Sequence, residues 1–550
     1  MFARTKKSGK YQYVQIVHNE RIKGRVRQRV IATLGRLDVL KETGQLDGLL
    51  ESLARLSDHV GVLNALKSNQ ITPTRTVHLG PPLVFEKLWQ QLGMPEILGR
   101  LLEGRRFEFS LERVLFIAVL HRLFAPGSDR AAERWCRRYA FGDLGNLELH
   151  HFYRTMGWLG EPLDAEQQPN DCPLGPRLRK DQIEEALFQR RRDLFTGLRL
   201  VFIDTTSIYF EGEGGETIGK RGYSKDHRPD LNQMIVVVVM DDEGRPVCCE
   251  LLPGNTADIT TLLPVVNRLR QRFDIRDVCV VADRGMISER TIRELSQRDV
   301  RYILGARLRN VKEIRETVLS RGGRYREVQG PREHSKSRSP LKVKQVTVNQ
   351  RRYIICHNDE QARKDQADRE AILEKLRAQL RQGSTSLVGN KGYRKYLTTA
   401  QCGAFQIDEN KVQRDARFDG KWVLRTDTDL PAEEVALRYK DLLQVENAFR
   451  TAKSILETRP IYHKCDDTIR GHVFCSFLAL VMMKELQDRM QSRGWQAEWA
   501  RLRDDLDELQ ELTLPLGEKT FVIRTPPVGE AVRAIQAVGV ALGSSVRLLD

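Results

Sequence analysis

The sequence predicts a mixed α/β domain, a five-stranded sheet with flanking helices, and three observations lead there. Five apolar runs, at 200–203, 234–240, 246–252, 278–282 and 302–306, have strand length and are too short for core helices. Helical spacing fills the gap between the third and fourth runs (259–272) and between the fourth and fifth (288–298). The first three runs are joined by short links only. Because parallel neighbours need a crossover and antiparallel ones do not, the order β-β-β-α-β-α-β implies a mixed sheet, antiparallel on one side and parallel on the other.

The flanking elements follow in chain order. Residues 11–17 partly alternate and 24–34 resemble a partner strand, so the basic N-terminus reads as a β-hairpin. From about 40 to 195 the apolar spacing is helical, at 83–92, 111–123 and 183–194, broken by Pro81-Pro82, Pro126-Gly127 and the proline-rich 160–176 stretch. Within the 288–298 helix, Ser288 is placed to cap and Glu289 lies in the first turn. Residues 310–420 interrupt the α/β pattern with a basic loop at 334–340, a strand pair near 343–348 and 353–356, and a charged helix at 360–382. Asp419-Gly420 has the chemistry of a hairpin turn. Long helices are expected at 432–455 and 469–490, and the end of the chain carries a helix (495–509), a strand (520–524) and an apolar helix (528–542). The resulting division is 1–70, a basic N-terminal hairpin region; 71–198, a helical region; 199–310 with 421–490, the α/β domain; 311–420, a β-rich insertion; and 491–550, a C-terminal region suited to oligomerisation.

Composition narrows the function. The 550 residues carry a net charge of +16, which calls for a polyanionic partner. The charge is uneven: residues 1–40 hold ten Lys or Arg against two acids. No apolar run approaches the roughly 20 residues of a membrane span, and no secretory leader is read, so a cytoplasmic protein with no membrane partner is expected. Nine scattered cysteines without a C-x-x-C pair argue against a disulfide framework or a zinc site. A G-x-x-x-x-G-K-[ST] phosphate loop is absent.

Two acids stand out. Asp204 follows the run 200–203 and Asp283 follows 278–282, each ending a strand that reads as buried on both faces. In open α/β sheets ligands bind beyond strand ends where the topology switches. If the first and fourth strands are parallel neighbours, the two carboxylates converge there, and oxygen-only ligation suits Mg²⁺ or Mn²⁺. On the 432–455 helix Tyr439, Glu446, Arg450 and Lys453 fall within about 60° of one another. Such a face is often only a solvated one; alternatively, Glu446 completes a metal site while the cations hold phosphates. Thr206 is placed to support Asp204, Asn255 and Asp258 to shape a rim, and His472 to be a core histidine.

These residues resemble a known family. Tyr439, Glu446 and Lys453 stand at the spacing of the Y-x2-R-x3-E-x6-K signature of DDE-type bacterial insertion-sequence transposases, with Leu442 at the Arg place. The segments 201–211, 222–229, 253–258 and 282–285 look like the same family, as does Leu34-Gly-Arg36. The resemblance implies an RNase H-like catalytic core with Asp204, Asp283 and Glu446 as catalytic and metal-binding carboxylates. It further implies two Mg²⁺ or Mn²⁺ ions, and DNA contacts from Tyr439, Arg450 and Lys453. Double-stranded DNA, as transposon ends and target, would be the partner, bound by a homodimer whose 1–70 and 71–198 regions grip it. Two alternatives remain: a metal-dependent DNA nuclease without strand transfer, and a catalytically dead DNA-binding protein derived from such an element.

Overall fold

The computed structural model describes residues 1–22, 25–55, 60, 66, 72–142, 144–169, 172–191, 200–275, 278–328, 340–382, 395–399, 405–516 and 518–549. The basic loop expected at 334–340 lies outside the described residues except for its last position. Two compact units emerge, one of residues 1–81, 138–140 and 498–550, the other of 82–137 and 141–497.

In the first unit the N-terminal hairpin is a three-stranded antiparallel sheet, β1 (Phe2–Ser8), β2 (Tyr11–Ile22) and β3 (Arg25–Arg36), in that order. Strand β1 was not expected because its exposed Phe-Ala-Arg-Thr-Lys-Lys-Ser offers no apolar alternation; the ladder to β2, from Phe2↔Val17 to Ser8↔Tyr11, defines it instead. A second sheet joins distant parts of the sequence. Its order is β18 (Val546–Leu549), β17 (Lys519–Arg524), β16 (Gln510–Leu516) and β4 (Arg75–His78), all antiparallel. Leu514, Phe521, Ile523 and Val546 form its core.

The second unit is built on a nine-stranded sheet. The five runs read from the sequence are β5 (Leu200–Tyr209), β6 (Gln233–Met240), β7 (Pro246–Pro253), β8 (Cys279–Ala282) and β9 (Arg301–Gly305). They lie in the order β9-β8-β5-β6-β7, with β5, β6 and β7 antiparallel and β5, β8 and β9 parallel. The sheet does not stop at five. Beyond β9 it continues through β15 (Lys421–Thr426), β12 (Arg351–His357), β11 (Leu341–Val348) and β10 (Arg326–Val328). The strands of the insertion therefore extend the central sheet, because β9 would otherwise leave an unpaired edge that β15 fills in antiparallel register. A short pair, β13 (Leu397–Thr399) with β14 (Phe405–Ile407), stands apart.

Asp419-Gly420 does not turn a hairpin. A helix, Glu409–Ala416, precedes it, and Gly420 at φ 64 lies so near the start of the earlier helix Asp359–Gln382 that a Cβ there would meet Asn358 O at 2.4 Å. The long helix at 432–455 is likewise divided, into Ala432–Asp441 and Leu443–Ser454. Buried Leu442 marks the junction, where its amide bonds the Tyr439 carbonyl three residues back (3.2 Å) and tightens the turn. Ser288 caps its helix as read, its Oγ accepting from Thr291 N at 3.0 Å.

Two contacts tie helices to this scaffold. Leu149–Gly160 packs closely on Asp466–Gln491: a Cβ at Gly471 would lie 2.0 Å from Met156 O, and one at Gly160 2.0 Å from Asp467 O. Arg179–Arg191 is bound to Leu262–Phe273 and β7 by a buried ion network. Lys180 pairs with Asp181 at 2.7 Å, Arg268 with Asp181 at 2.8 Å, and Arg272 with Glu184 at 2.5 Å and Glu250 at 3.0 Å. Within this network three cations balance three acids, so the buried charges compensate one another. Among the described residues, no helix is long and apolar enough to cross a membrane.

Candidate active site

The parallel ladder between β5 and β8 closes with Ile203↔Ala282, and the next residue of each strand is an acid, Asp204 or Asp283. The two carboxylates are thus brought together by register alone. Asp204 differs from expectation in one respect: β5 runs on to Tyr209, paired with β6, so Asp204 lies within its strand. Asp283 leaves β8 in extended geometry (φ −74, ψ 159) at the head of a short turn, Arg284–Met286.

Each acid has a distinct environment. Asp204 accepts from the Thr205 amide at 2.7 Å. Burial pushes its carboxyl up to about 6; Lys225 and the Thr205 amide oppose the rise, while the charges of Asp283 and Glu446 add to it. Asp283 Oδ1 accepts from the Tyr439 hydroxyl at 3.0 Å. Burial, followed by Asp283 itself, drives the Tyr439 phenol above its ordinary range, so it remains a proton donor. Room for this phenol is made at the end of β9, where a Cβ on Gly305 would sit 2.3 Å from Tyr439 Oη. Glu446 is exposed in the first turn of Leu443–Ser454 and bears electrostatically on both Asp204 and Tyr439.

The DNA-contact candidates fare unequally. Arg450 is exposed. Tyr439 is engaged with Asp283, and Lys453 donates to Asp226 Oδ1 at 2.7 Å. Leu442, at the signature Arg place, is buried.

Several residues at the site were given no role from the sequence. Lys225 donates to Thr205 O (2.7 Å) and Oγ1 (2.6 Å) and pairs with Asp258 at 3.1 Å; Thr205 in turn donates to Asp258 Oδ1 at 2.9 Å. It is thus the Thr205 hydroxyl, one residue from the expected Thr206, that is engaged beside Asp204. The only hint was the cluster of turn-forming and charged residues at 222–229, whose partners are remote in sequence.

Does this donor set suit divalent cations? It is oxygen-only, and burial, with a smaller part from the like charges of Asp283 and Glu446, raises the Asp204 carboxyl, a cost that a hard cation relieves. Among the described residues, the sets of three ligand atoms within 4.8 Å of one another are Glu108/His150/His151 and Asp129/His463/His472, not the three carboxylates. Carboxylates shared between two ions about 3.5–4 Å apart need not all lie that close. The buried Asp129 set already holds a cation, because Arg122 Nη2 lies 2.9 Å from His472 Nδ1 and 3.4 Å from Asp129 Oδ1. Burial and then Arg122 hold His472 well below its ordinary value, as a neutral core histidine.

Residues 196–482 match the family model described as a transposase DDE domain, and residues 2–64 match that of the IS1634 family transposase N-terminal domain. No curated protein matches. Among solved structures, a Mos1 transposase paired-end complex with the left transposon end matches at 16% identity and a TM-score of 0.14, over 38% of this chain. The match spans only 57% of that transposase chain.

Proposed function

Because the chain belongs to the DDE-type insertion-sequence transposases, we propose that it cuts DNA at the ends of its element and joins the freed 3′-OH to target DNA. The β9-β8-β5-β6-β7 block would be its RNase H-like core. Asp204, Asp283 and Glu446 would hold two Mg²⁺ or Mn²⁺ ions. Bound there, such ions supply Lewis-acid activation of water and of the 3′-OH for in-line phosphoryl transfer.

The chain's own residues do the positioning. Asp204 and Asp283 are fixed by neighbouring strands, so their separation does not depend on a loop. Tyr439 donates to one oxygen of Asp283 and orients its carboxyl. Glu446 comes from a helix and is the most accessible of the three. Exposed Arg450, one helical turn beyond Glu446, supplies a phosphate contact. The basic N-terminal sheet and the helical region supply the non-specific grip on DNA. Pairing two ends calls for two copies of the chain on DNA, at the nucleoid.

One observation carries this reading: the parallel ladder ends so that Asp204 and Asp283 become neighbours, with the charge of Glu446 felt at Asp204. The test uses DNA carrying the element's terminal repeats, with Mg²⁺. The wild type should nick the ends and join pre-cleaved 3′-OH ends to a plasmid, and Asp283→Asn should lose both reactions while still binding ends. Hydrolysis without joining would leave a nuclease; full activity in Asp283→Asn would remove the site altogether.

A further inference from the structure

Residues 222–230 connect the two halves of the site. The backbone turns tightly there: Ser224 Oγ accepts from the amides of Asp226 (3.3 Å) and Arg228 (3.1 Å), and His227 takes the left-handed region at φ 58. Consecutive side chains are thereby sent to different elements. The Lys225 amide donates to Ser207 Oγ at 2.8 Å and its ammonium to Thr205, both on the strand of Asp204. Asp226 faces the other way, accepting from Lys453 on the Glu446 helix and pairing with Arg459 just beyond that helix.

The geometry of a helix makes this pairing informative. Lys453 follows Glu446 by seven residues, so at 3.6 residues per turn the two side chains leave the axis within about 20° of one another. Any rotation that carried Glu446 away from Asp204 would also carry Lys453 away from Asp226. That separation is costly because both partners are largely withdrawn from water, at 5% exposure for Asp226 and 13% for Lys453.

We propose that Lys225 and Asp226 form a clamp that fixes the rotation of the Glu446 helix against the Asp204 strand. Lys453 is then a positioning residue that acts through Asp226 rather than a ligand of DNA. The clamp rests on the reading of Asp204, Asp283 and Glu446 as a metal-dependent cleavage centre.

The test is a double-mutant cycle in the full chain with Asp226→Asn, Lys453→Gln and both together. Three quantities are measured: the Mn²⁺ concentration that half-saturates the thermal shift, the Kd for end DNA, and the single-turnover cleavage rate. Each single variant should need about tenfold more Mn²⁺ and cleave at least tenfold more slowly, with the Kd for DNA changed less than about twofold. The double variant should be no worse than the worse single, and Asp226→Glu should recover most of the rate. A Lys453→Gln chain that binds DNA tenfold more weakly with unchanged Mn²⁺ response overturns the clamp, as do losses that multiply in the double variant. If Asp226→Asn does not fold, Lys453→Gln decides by the same three readings. A wild-type chain that takes up no Mn²⁺ sinks the metal-centre reading and the clamp with it; a wild type that binds and cleaves, with independent losses at the two positions, sinks the clamp alone.

Discussion

At the residue scale, Asp204 couples stability to pH. Its carboxyl titrates near 6 when folded, against an ordinary 3.8. Below about pH 3 both states hold the proton. As the pH rises from 4 to 6 the unfolded chain ionises first, so the metal-free fold loses stability, by up to about 3 kcal/mol at pH 7. Asp204→Asn should therefore raise the Tm of metal-free protein at pH 7 and flatten its decline between pH 4 and 6, while abolishing cleavage. A Tm of the variant that falls in parallel with the wild type would assign the pH dependence elsewhere. Tyr439 and Gly305 give a second expectation. Gly305→Ala places a methyl 2.3 Å from the phenol oxygen and should cost about 1–3 kcal/mol in urea unfolding, and less in a Tyr439→Phe background. Tyr439→Phe alone, which frees Asp283 from its donor, should slow cleavage about tenfold in a single-turnover assay. Asp204 and Asp283 were legible because each follows an uninterrupted apolar run, and Glu446 only through its spacing to Tyr439 and Lys453; Lys225 and Asp226 were not, since their partners Thr205, Asp258 and Lys453 are separated from them by some 20 to 227 residues.

At the element scale, the strands between 200 and 305 could be read because burial on both faces demands continuous apolar residues, as β6 with eight buried positions illustrates. Pairing beyond those strands could not. Strands β11 and β12 were recognised as a pair, yet nothing local told them to join the central sheet through β15. The division at Leu442 was hidden too, because the 432–455 apolar spacing is continuous across it. The ion network around Arg272 makes the strongest prediction at this scale. Arg272→Met removes one partner and leaves Glu184 and Glu250 buried with less compensation, so it should destabilise the second unit by about 3–5 kcal/mol, read as a lowered urea midpoint. A loss below 1 kcal/mol would show that the acids take up protons and tolerate the change.

For the whole molecule, the division into two compact units predicts two calorimetric transitions. A chain ended after Ala497 loses β16, β17 and β18, leaving β4 without its ladder; one transition should disappear while the other keeps its midpoint. A single unchanged transition in both chains would mean that the units unfold as one.

The sequence by itself determined the strand and helix types of the α/β core, the basic N-terminus and the acids that end its apolar runs, because period, charge and turn chemistry are local properties. Tertiary structure alone decided which strands are neighbours, that β5 and β8 meet in parallel with Asp204 and Asp283 side by side, and that Tyr439 and Lys453 are held by Asp283 and Asp226. Those outcomes depend on contacts between residues far apart in the chain, whose free energy appears only once the sheet has formed.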